Sequence, residues 1–285
     1  MRKYEMKTPP LEFETRHTSK GNQLKWKQDG YWYKADQFGY EGVAETIVSA
    51  FLKKLVVPFA FVSYERVKIV CEGKEYTGCR SRDFYEEDPA LQGYVLIPLE
   101  RLHRQYTGEG LAKHLAKFRE VADRVSYTTD FVRNVTGLSR FDDYLTFMIQ
   151  TDAFFLNEDR HTNNIAVLWS PETDVYEYCP YFDFGLSLFA DTKEDFPLSM
   201  DFAACRKVIK AKPFSVDFDE QLDVCEKIGA SALRFPFRRG EMRKESEAAL
   251  AGIECEESFK KRAIETLAWQ ANRYQYMFRI VRLKA

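Results

Sequence analysis

Two short segments decide how this chain is interpreted: Asn157-Glu158-Asp159-Arg160-His161-Thr162-Asn163-Asn164 and Phe182-Asp183-Phe184-Gly185. In the first segment, Asp159 and Asn164 stand five residues apart, and the second segment adds Asp183. An isolated Asp-Phe-Gly tripeptide carries little weight, but its combination with an Asp and an Asn in this order is uncommon by chance. Carboxylate and amide oxygens are the ligands that Mg²⁺ prefers in proteins. The two segments therefore predict a single polar site.

The residue types in this site match the requirements of phosphoryl transfer. That reaction needs divalent metal and cations to neutralise phosphate oxygens, and a carboxylate that accepts the proton of the acceptor hydroxyl. We predict Asp159 as this base, and Asn164 and Asp183 as metal ligands. His161 has two open interpretations: it assists the transition state, or it orients Asp159 through a hydrogen bond. Arg160 is predicted to have a structural or regulatory role, paired with a carboxylate or phosphate.

A predicted β-hairpin connects the two segments. Residues 165–169 and 175–178 have strand character, and they flank a turn-like stretch at 170–174 that contains Pro, Thr and Asp. Because the strands of a hairpin lie side by side, its two ends lie close together. We therefore expect Asn164 and Asp183 to converge although they are distant in sequence.

The first hundred residues predict a small β-rich lobe with one helix. Residues 24–27 and 31–35 flank an Asp29-Gly30 hairpin signal. Residues 42–54 place apolar side chains on one face at helical spacing. Further short strands are predicted at 59–70, 74–80 and 93–98.

Lys34 is the predicted phosphate-binding cation of this lobe. It lies on the second strand of the hairpin and precedes the helix. An acidic residue of that helix would pair with it and hold its ammonium group toward the phosphates. Glu41 and Glu45 are four residues apart on one helical face, and we favour Glu45 because it lies inside the helix.

A loop before the first strand is predicted to cover the phosphates. Ser19 and Gly21 lie in this loop, at 18–23, and small residues let backbone N–H groups approach an anion. The signal is weak because the loop lacks a full Gly-x-Gly-x-x-Gly pattern.

From about residue 101 the pattern changes to long helical periods. Ser139 and Asp142 are spaced as a capping box, opening a helix that runs into the Asp159 loop. Later helices are predicted at 214–228, 239–251 and 257–283. The sequence thus predicts an α+β, bilobal fold, with a small β-rich lobe at 1–100 and a larger, mostly helical lobe at 101–285.

Composition limits the classes of partner and compartment. The 285 residues carry a formal net charge of −2 and dispersed basic residues, which predicts no direct nucleic-acid binding. The six cysteines are widely spaced without a Cys-x-x-Cys pair, which favours reduced thiols over a zinc site. No signal peptide and no apolar run of about 20 residues is evident. We therefore predict a cytoplasmic protein without a membrane span.

The quoted motifs resemble those of a known family. Asp159-Arg160-His161-x-x-Asn164 and Asp183-Phe184-Gly185, preceded by Tyr40-Glu41-Gly42-Val43-Ala44-Glu45, are similar to the HipA-like and CtkA-like bacterial serine/threonine kinases. The resemblance spans roughly residues 15–230. It implies a bilobal kinase fold, ATP and Mg²⁺ as cofactors, and Lys34 on the phosphates. It also implies Asp159 as the catalytic base and Asn164 and Asp183 as the metal ligands.

The same resemblance implies partners. A protein with a Ser or Thr hydroxyl would be the acceptor, and some family members are toxins that have a small antitoxin partner. Members often phosphorylate a serine in their own nucleotide-covering loop, which here points to Ser19 or Thr18.

Two other functional classes remain open. Phosphoinositide lipid kinases carry a similar Asp-Arg-His-x-x-Asn and Asp-Phe-Gly arrangement. The alternative function is therefore that of a lipid or small-molecule kinase. A nucleotide-binding pseudokinase that serves as an interaction module is the third class. Chain length and the Tyr-Glu-Gly-x-Ala-Glu segment favour the bacterial protein kinases.

Overall fold

A computed structural model describes residues 1–11 and 23–278 of the chain. The predictions for Ser19, Gly21 and Thr18 lie outside the described residues. Within them, the strands and helices that the sequence predicts appear in the predicted order, with a β-rich N-terminal part and a mostly helical C-terminal part. The predicted α+β fold class is confirmed.

A five-stranded sheet forms the N-terminal part. Its strands lie side by side in the order β1-β4-β5-β3-β2, and only β1 and β4 are parallel among the neighbours. The sequence did not predict β1. The strands are β1 (Arg2–Glu5), β2 (Lys25–Gln28), β3 (Tyr31–Ala35), β4 (Tyr64–Cys71) and β5 (Lys74–Arg82).

The predicted β2–β3 hairpin is confirmed, and its turn has the expected geometry. Asp29 and Gly30 both have positive φ, at 51° and 75°. A two-residue turn with positive φ at both positions matches the right-handed twist of the flanking strands. The turn fixes the register in which Lys25 lies opposite Lys34.

Helix α1 (Glu41–Leu52) follows β3 and packs on β4 and β5. Its apolar face is fully buried, as the helical spacing predicts, and includes Ile47, Val48 and Phe51. Burial of such side chains contributes about 1.5–3 kcal/mol each to folding. The helix is thereby held rigidly against the sheet that carries Lys34.

A second sheet of three antiparallel strands carries the predicted connecting hairpin. Strands β7 (Ala166–Ser170) and β8 (Val175–Tyr178) form this hairpin, which confirms the prediction. The predicted strand β6 (Val95–Pro98) pairs with β7 and not with the five-stranded sheet. Consequently β6 lies beside the loop that begins the hairpin.

Helices form most of the remaining chain. The central one is α6 (Phe141–Phe155), of which 13 of 15 residues are buried, as befits a helix surrounded by other elements. The other helices are α2 (Phe84–Glu87), α3 (Leu99–Thr107), α4 (Leu111–Leu115), α5 (Val121–Thr136), α7 (Phe202–Val208), α8 (Phe218–Ile228), α9 (Met242–Leu250) and α10 (Glu257–Arg273), with 3₁₀ turns at Pro89–Leu91, Arg239–Glu241 and Gln275–Met277.

Three details of the helix predictions are wrong. The capping box at Ser139 does not form, because α6 begins one residue later than the box requires and Arg140 takes the N-cap position. Helix α8 begins at Phe218 rather than 214, because Asp217 caps it by accepting from the N–H groups of Asp219 and Glu220. The last helix ends at Arg273 instead of the predicted 283, because Tyr274 leaves the helical backbone conformation.

Throughout the described part of the chain, every helix is too short or too polar to cross a membrane.

Candidate active site

Lys34 joins the two halves of the site. Its Nζ lies 2.9 Å from Glu45 Oε1 on α1 and 2.9 Å from Asp183 Oδ1. The second oxygen of Glu45 accepts a hydrogen bond of 2.9 Å from the Phe184 N–H. Strand β3, helix α1 and the Asp-Phe-Gly segment are therefore tied together by one lysine between two carboxylates.

Glu41, the alternative partner for Lys34, has a different task. Its Oε1 accepts hydrogen bonds from the backbone N–H groups of Gln37 at 2.7 Å and Phe38 at 2.6 Å. It thus fastens the segment that leads from β3 into α1, while Glu45 makes the contact with Lys34. The structure pairs the residues that the sequence favoured.

The charged forms of Lys34 and Asp183 stabilise each other. Burial acts to lower the pKa of Lys34, but the carboxylates of Asp183 and Glu45 outweigh it and hold that pKa well above its ordinary value. For Asp183, burial acts to raise the pKa, but the nearby cations Lys34, Lys25 and Arg160 together outweigh burial, and the pKa falls below its usual range. Lys34 and Asp183 are therefore both charged at neutral pH.

The backbone of Asp183 is in the left-handed region, with φ at 68°. Residues other than glycine adopt this region at an energetic cost, and such residues cluster at functional sites. Asp is among the residues that tolerate it best. Asn157 Nδ2 at 3.3 Å and Arg160 Nη2 at 3.1 Å donate hydrogen bonds to the Asp183 carbonyl and hold this conformation.

Asp159 lies on the loop between α6 and β7, and its side chain is one-third exposed. Its Oδ1 accepts a hydrogen bond of 2.9 Å from Lys212 Nζ. His161 Nε2 lies 3.7 Å from the other carboxylate oxygen, which is too long for a hydrogen bond. His161 Nδ1 is buried and has no hydrogen-bond partner among the described residues. The carboxylate remains reachable from the surface.

Asn164 folds back onto the same loop. Its Nδ2 donates a hydrogen bond of 3.0 Å to the Asp159 carbonyl, and its backbone N–H donates to the His161 carbonyl at 2.8 Å. Because the amide nitrogen is engaged with the backbone, the amide oxygen is left for another ligand. That arrangement suits a neutral metal ligand beside an anionic one.

Arg160 fastens both candidate metal ligands. It is fully buried and pairs with Asp152 of α6, with Nε 2.8 Å from Oδ2. Its Nη1 donates to the carbonyls of Asn164 at 2.8 Å and Phe182 at 2.9 Å, and Nη2 donates to the Asp183 carbonyl at 3.1 Å. Arg160 thus has structural contacts of the kind that the sequence predicts.

Asp152 is the anionic centre of this network. Besides Arg160, it accepts hydrogen bonds from Tyr181 Oη at 2.5 Å and Asn157 Nδ2 at 2.8 Å. Burial acts to lower the pKa of Arg160, but Asp152, Tyr181 and Asp183 together outweigh it and raise that pKa. The buried charges are therefore compensated, as buried ion pairs require.

Sequence reasoning missed three residues of the site. Lys25 lies opposite Lys34 on the same face of the sheet, and burial together with Lys34 lowers its pKa; the hairpin register contained this signal. Asp152 had a weaker signal, as a carboxylate in the mostly apolar C-terminal half of α6. Lys212 had none, because it is 53 residues from Asp159 and reaches it through tertiary folding.

Comparison with known proteins concerns the fold. Neither protein-family models nor curated proteins match the chain. Among solved structures, the Helicobacter pylori proinflammatory kinase CtkA is similar over 95% of this chain and 95% of that chain, with a TM-score of 0.59 and 14% sequence identity.

The chain has the fold of CtkA. That likeness confirms the kinase-like fold predicted from the sequence. A chain of the Shewanella oneidensis MR-1 toxin–antitoxin complex of HipA, HipB and operator DNA is also similar, with a TM-score of 0.49 and 12% identity, over 93% of this chain and 67% of that one.

Proposed function

We propose that the chain is an ATP- and Mg²⁺-dependent serine/threonine protein kinase. The observation that carries this proposal is the contact of Lys34 with both Glu45 and Asp183, at 2.9 Å each. Through Arg160, the same Asp183 is fastened to the loop of Asp159. A phosphate-binding cation, an anionic metal ligand and a candidate base are thus held in one frame, on a fold like that of a known kinase.

The residues present fit a magnesium ion. Asp183 supplies a carboxylate whose pKa is lowered by Lys34 against the effect of burial, and Asn164 supplies an amide oxygen. Mg²⁺ takes oxygen ligands and shares its coordination shell with substrate phosphates. When bound with ATP, the ion supplies positive charge to the phosphate oxygens.

The chain's own residues then have distinct tasks. Lys34 binds phosphate oxygens, and Glu45 holds its side chain in place. Asp159 accepts the proton of the acceptor hydroxyl as the bond from that oxygen to the γ-phosphorus forms. The bond between the γ-phosphorus and the bridging oxygen breaks, and ADP leaves with the electron pair.

The identity of the acceptor rests on the sequence resemblance. Self-phosphorylation at Ser19 or Thr18, a toxin-type activity, a small antitoxin partner and a cytoplasmic location stay predictions from the sequence. Ser19 and Gly21 are proposed to lie over the phosphates.

Quantitative phosphopeptide mass spectrometry tests the proposal. The purified protein and its Asp183→Ala variant are each incubated with ATP, Mg²⁺ and a dephosphorylated cell extract. We expect new phosphoserine or phosphothreonine peptides only with the native protein, and a phosphopeptide containing Ser19 or Thr18 if it modifies itself. Phosphate transfer to lipid vesicles without any phosphopeptide would contradict the protein-kinase assignment.

A further inference from the structure

A cavity opens beside Asp159 on the C-terminal part of the molecule. Its volume is about 400 Å³, toward the lower end of the roughly 300–1,000 Å³ typical of ligand pockets. The side chains around it come from α4, α5, the Asp159 loop and the segment before α8: Ala112, Leu115, Ala116, Arg124, His161, Thr162, Lys212 and Pro213.

The cavity adjoins Asp159 and is lined by other residues than the cluster of Lys34, Glu45 and Asp183. Two of its lining residues, Lys212 and His161, are neighbours of the Asp159 carboxylate, at 2.9 and 3.7 Å. Lys34 and Asp183 do not line it. A hydroxyl that donates its proton to Asp159 must approach from outside the nucleotide site. The cavity is therefore placed to hold the chain that carries this hydroxyl.

The charged groups around the cavity are already engaged. All three nitrogens of the Arg124 guanidinium donate to backbone carbonyls: Nη1 to Phe214 at 2.7 Å, and Nε and Nη2 to Phe118 at 3.1 and 2.9 Å. Lys212 is paired with Asp159. Both cations therefore already have acceptors within the protein, and an anion would gain less from them than from an unpaired cation.

The remaining wall is apolar and preformed. Ala112, Leu115, Ala116 and Pro213 present hydrocarbon to the cavity. The Thr162 hydroxyl, which also lines it, donates to Glu100 at 2.8 Å. Glu100 in turn accepts from the Ala112 N–H at 2.9 Å, which fixes α4 to the Asp159 loop. A wall of this kind favours an apolar side chain, whose burial is driven by loss of water contact.

We propose that this cavity binds an apolar side chain of the protein acceptor, adjacent in sequence to the phosphorylated Ser or Thr. The inference rests on the proposed kinase function and extends it to substrate selection. It makes α4 and the segment around Pro213 the specificity-determining surface of the enzyme.

A peptide library with one fixed Ser or Thr and random neighbours tests the proposal. The native protein should select an apolar residue at one fixed offset from the acceptor. Ala116→Phe places a ring in the cavity from an exposed position. We expect it to abolish that selection and to raise the KM for the selected peptide by roughly tenfold or more.

Two controls separate the possible failures. Lys113→Phe adds the same ring to the same helix at a site that does not line the cavity, and it should retain native selection. ATP hydrolysis without acceptor should be equal in all three proteins. If the native protein hydrolyses ATP but selects no apolar residue, or if Ala116→Phe selects as the native protein does, the cavity inference is wrong. Absence of both hydrolysis and transfer in the native protein would overturn the kinase function itself.

Discussion

Lys34 is the residue on which the charge balance of the site depends. Its ammonium group is the cation between Glu45 and Asp183, and only 11% of its side chain is exposed. Glu45 is almost fully buried, so its carboxylate depends on this contact for stabilisation. Lys34 therefore has two roles, one in the proposed binding of phosphate and one in the stability of the fold.

Replacing Lys34 separates these roles. In Lys34→Met the two carboxylates face each other without a cation, and we expect a loss of about 3 kcal/mol in the free energy of unfolding, measured by urea denaturation. The double variant Lys34→Met/Glu45→Gln removes one of the carboxylate charges and should recover much of that stability. Neither variant should transfer phosphate. A double variant no more stable than Lys34→Met would show that the ion pair does not govern stability.

At the scale of elements, helix α1 contributes two glutamates with different tasks. Glu41 accepts backbone hydrogen bonds at the start of the helix, whereas Glu45, one turn later, holds Lys34. Their side chains are both buried, so burial alone does not distinguish them. Their contacts do.

Matched glutamine variants test this distinction. Glu45→Gln should lower phosphoryl transfer by about tenfold or more, because Lys34 loses the charge that positions it. Glu41→Gln keeps an oxygen that accepts the two N–H groups, and we expect its activity to stay within about threefold of native. Steady-state assays at saturating ATP provide the comparison. Equal losses in the two variants would refute the assignment of separate tasks.

The loop between α6 and β7 contains a second pair of neighbours with contrasting roles. Arg160 is buried and bonded to three backbone carbonyls, whereas Asp159 is partly exposed. We expect Arg160→Met to cost about 3–5 kcal/mol of unfolding free energy, since it leaves Asp152 buried without its cationic partner.

Asp159→Ala is the matched control for that loop. It should unfold at nearly the native denaturant concentration, while its phosphoryl transfer falls by about 10²–10⁴-fold. Urea denaturation and an activity assay on both variants give the result. A stable Arg160→Met protein would contradict the view that Arg160 fastens the metal-ligand segments.

Over the whole molecule, the sequence predicted the elements and contacts that depend on local sequence pattern. The β2–β3 hairpin, helix α1 and the β7–β8 hairpin follow from turn residues and apolar spacing, and the Lys34–Glu45 pair follows from their order. Contacts between distant segments were not predictable in this way. The parallel pairing of β1 with β4 and the approach of Lys212 to Asp159 are set by tertiary packing, which leaves no periodic signal in one sequence.

The two regions of the fold share one continuous apolar core, and polar side chains add contacts within the site. Lys34 reaches from the five-stranded sheet to Asp183, and Arg160 reaches from the loop after α6 to the Asp183 carbonyl. A change at either residue is therefore expected to affect both nucleotide binding and the position of Asp159.

Transfer of labelled γ-phosphate from ATP is the measurement that tests the central claim most directly. The native protein is incubated with γ-labelled ATP and Mg²⁺, beside Asp159→Ala and Asp183→Ala variants that are shown to be folded. We predict label on protein or release of labelled phosphate with the native chain, strongly reduced in both variants and abolished by chelation of Mg²⁺. Transfer that is equal in all three proteins, or no transfer and no hydrolysis by the native chain, would contradict the account.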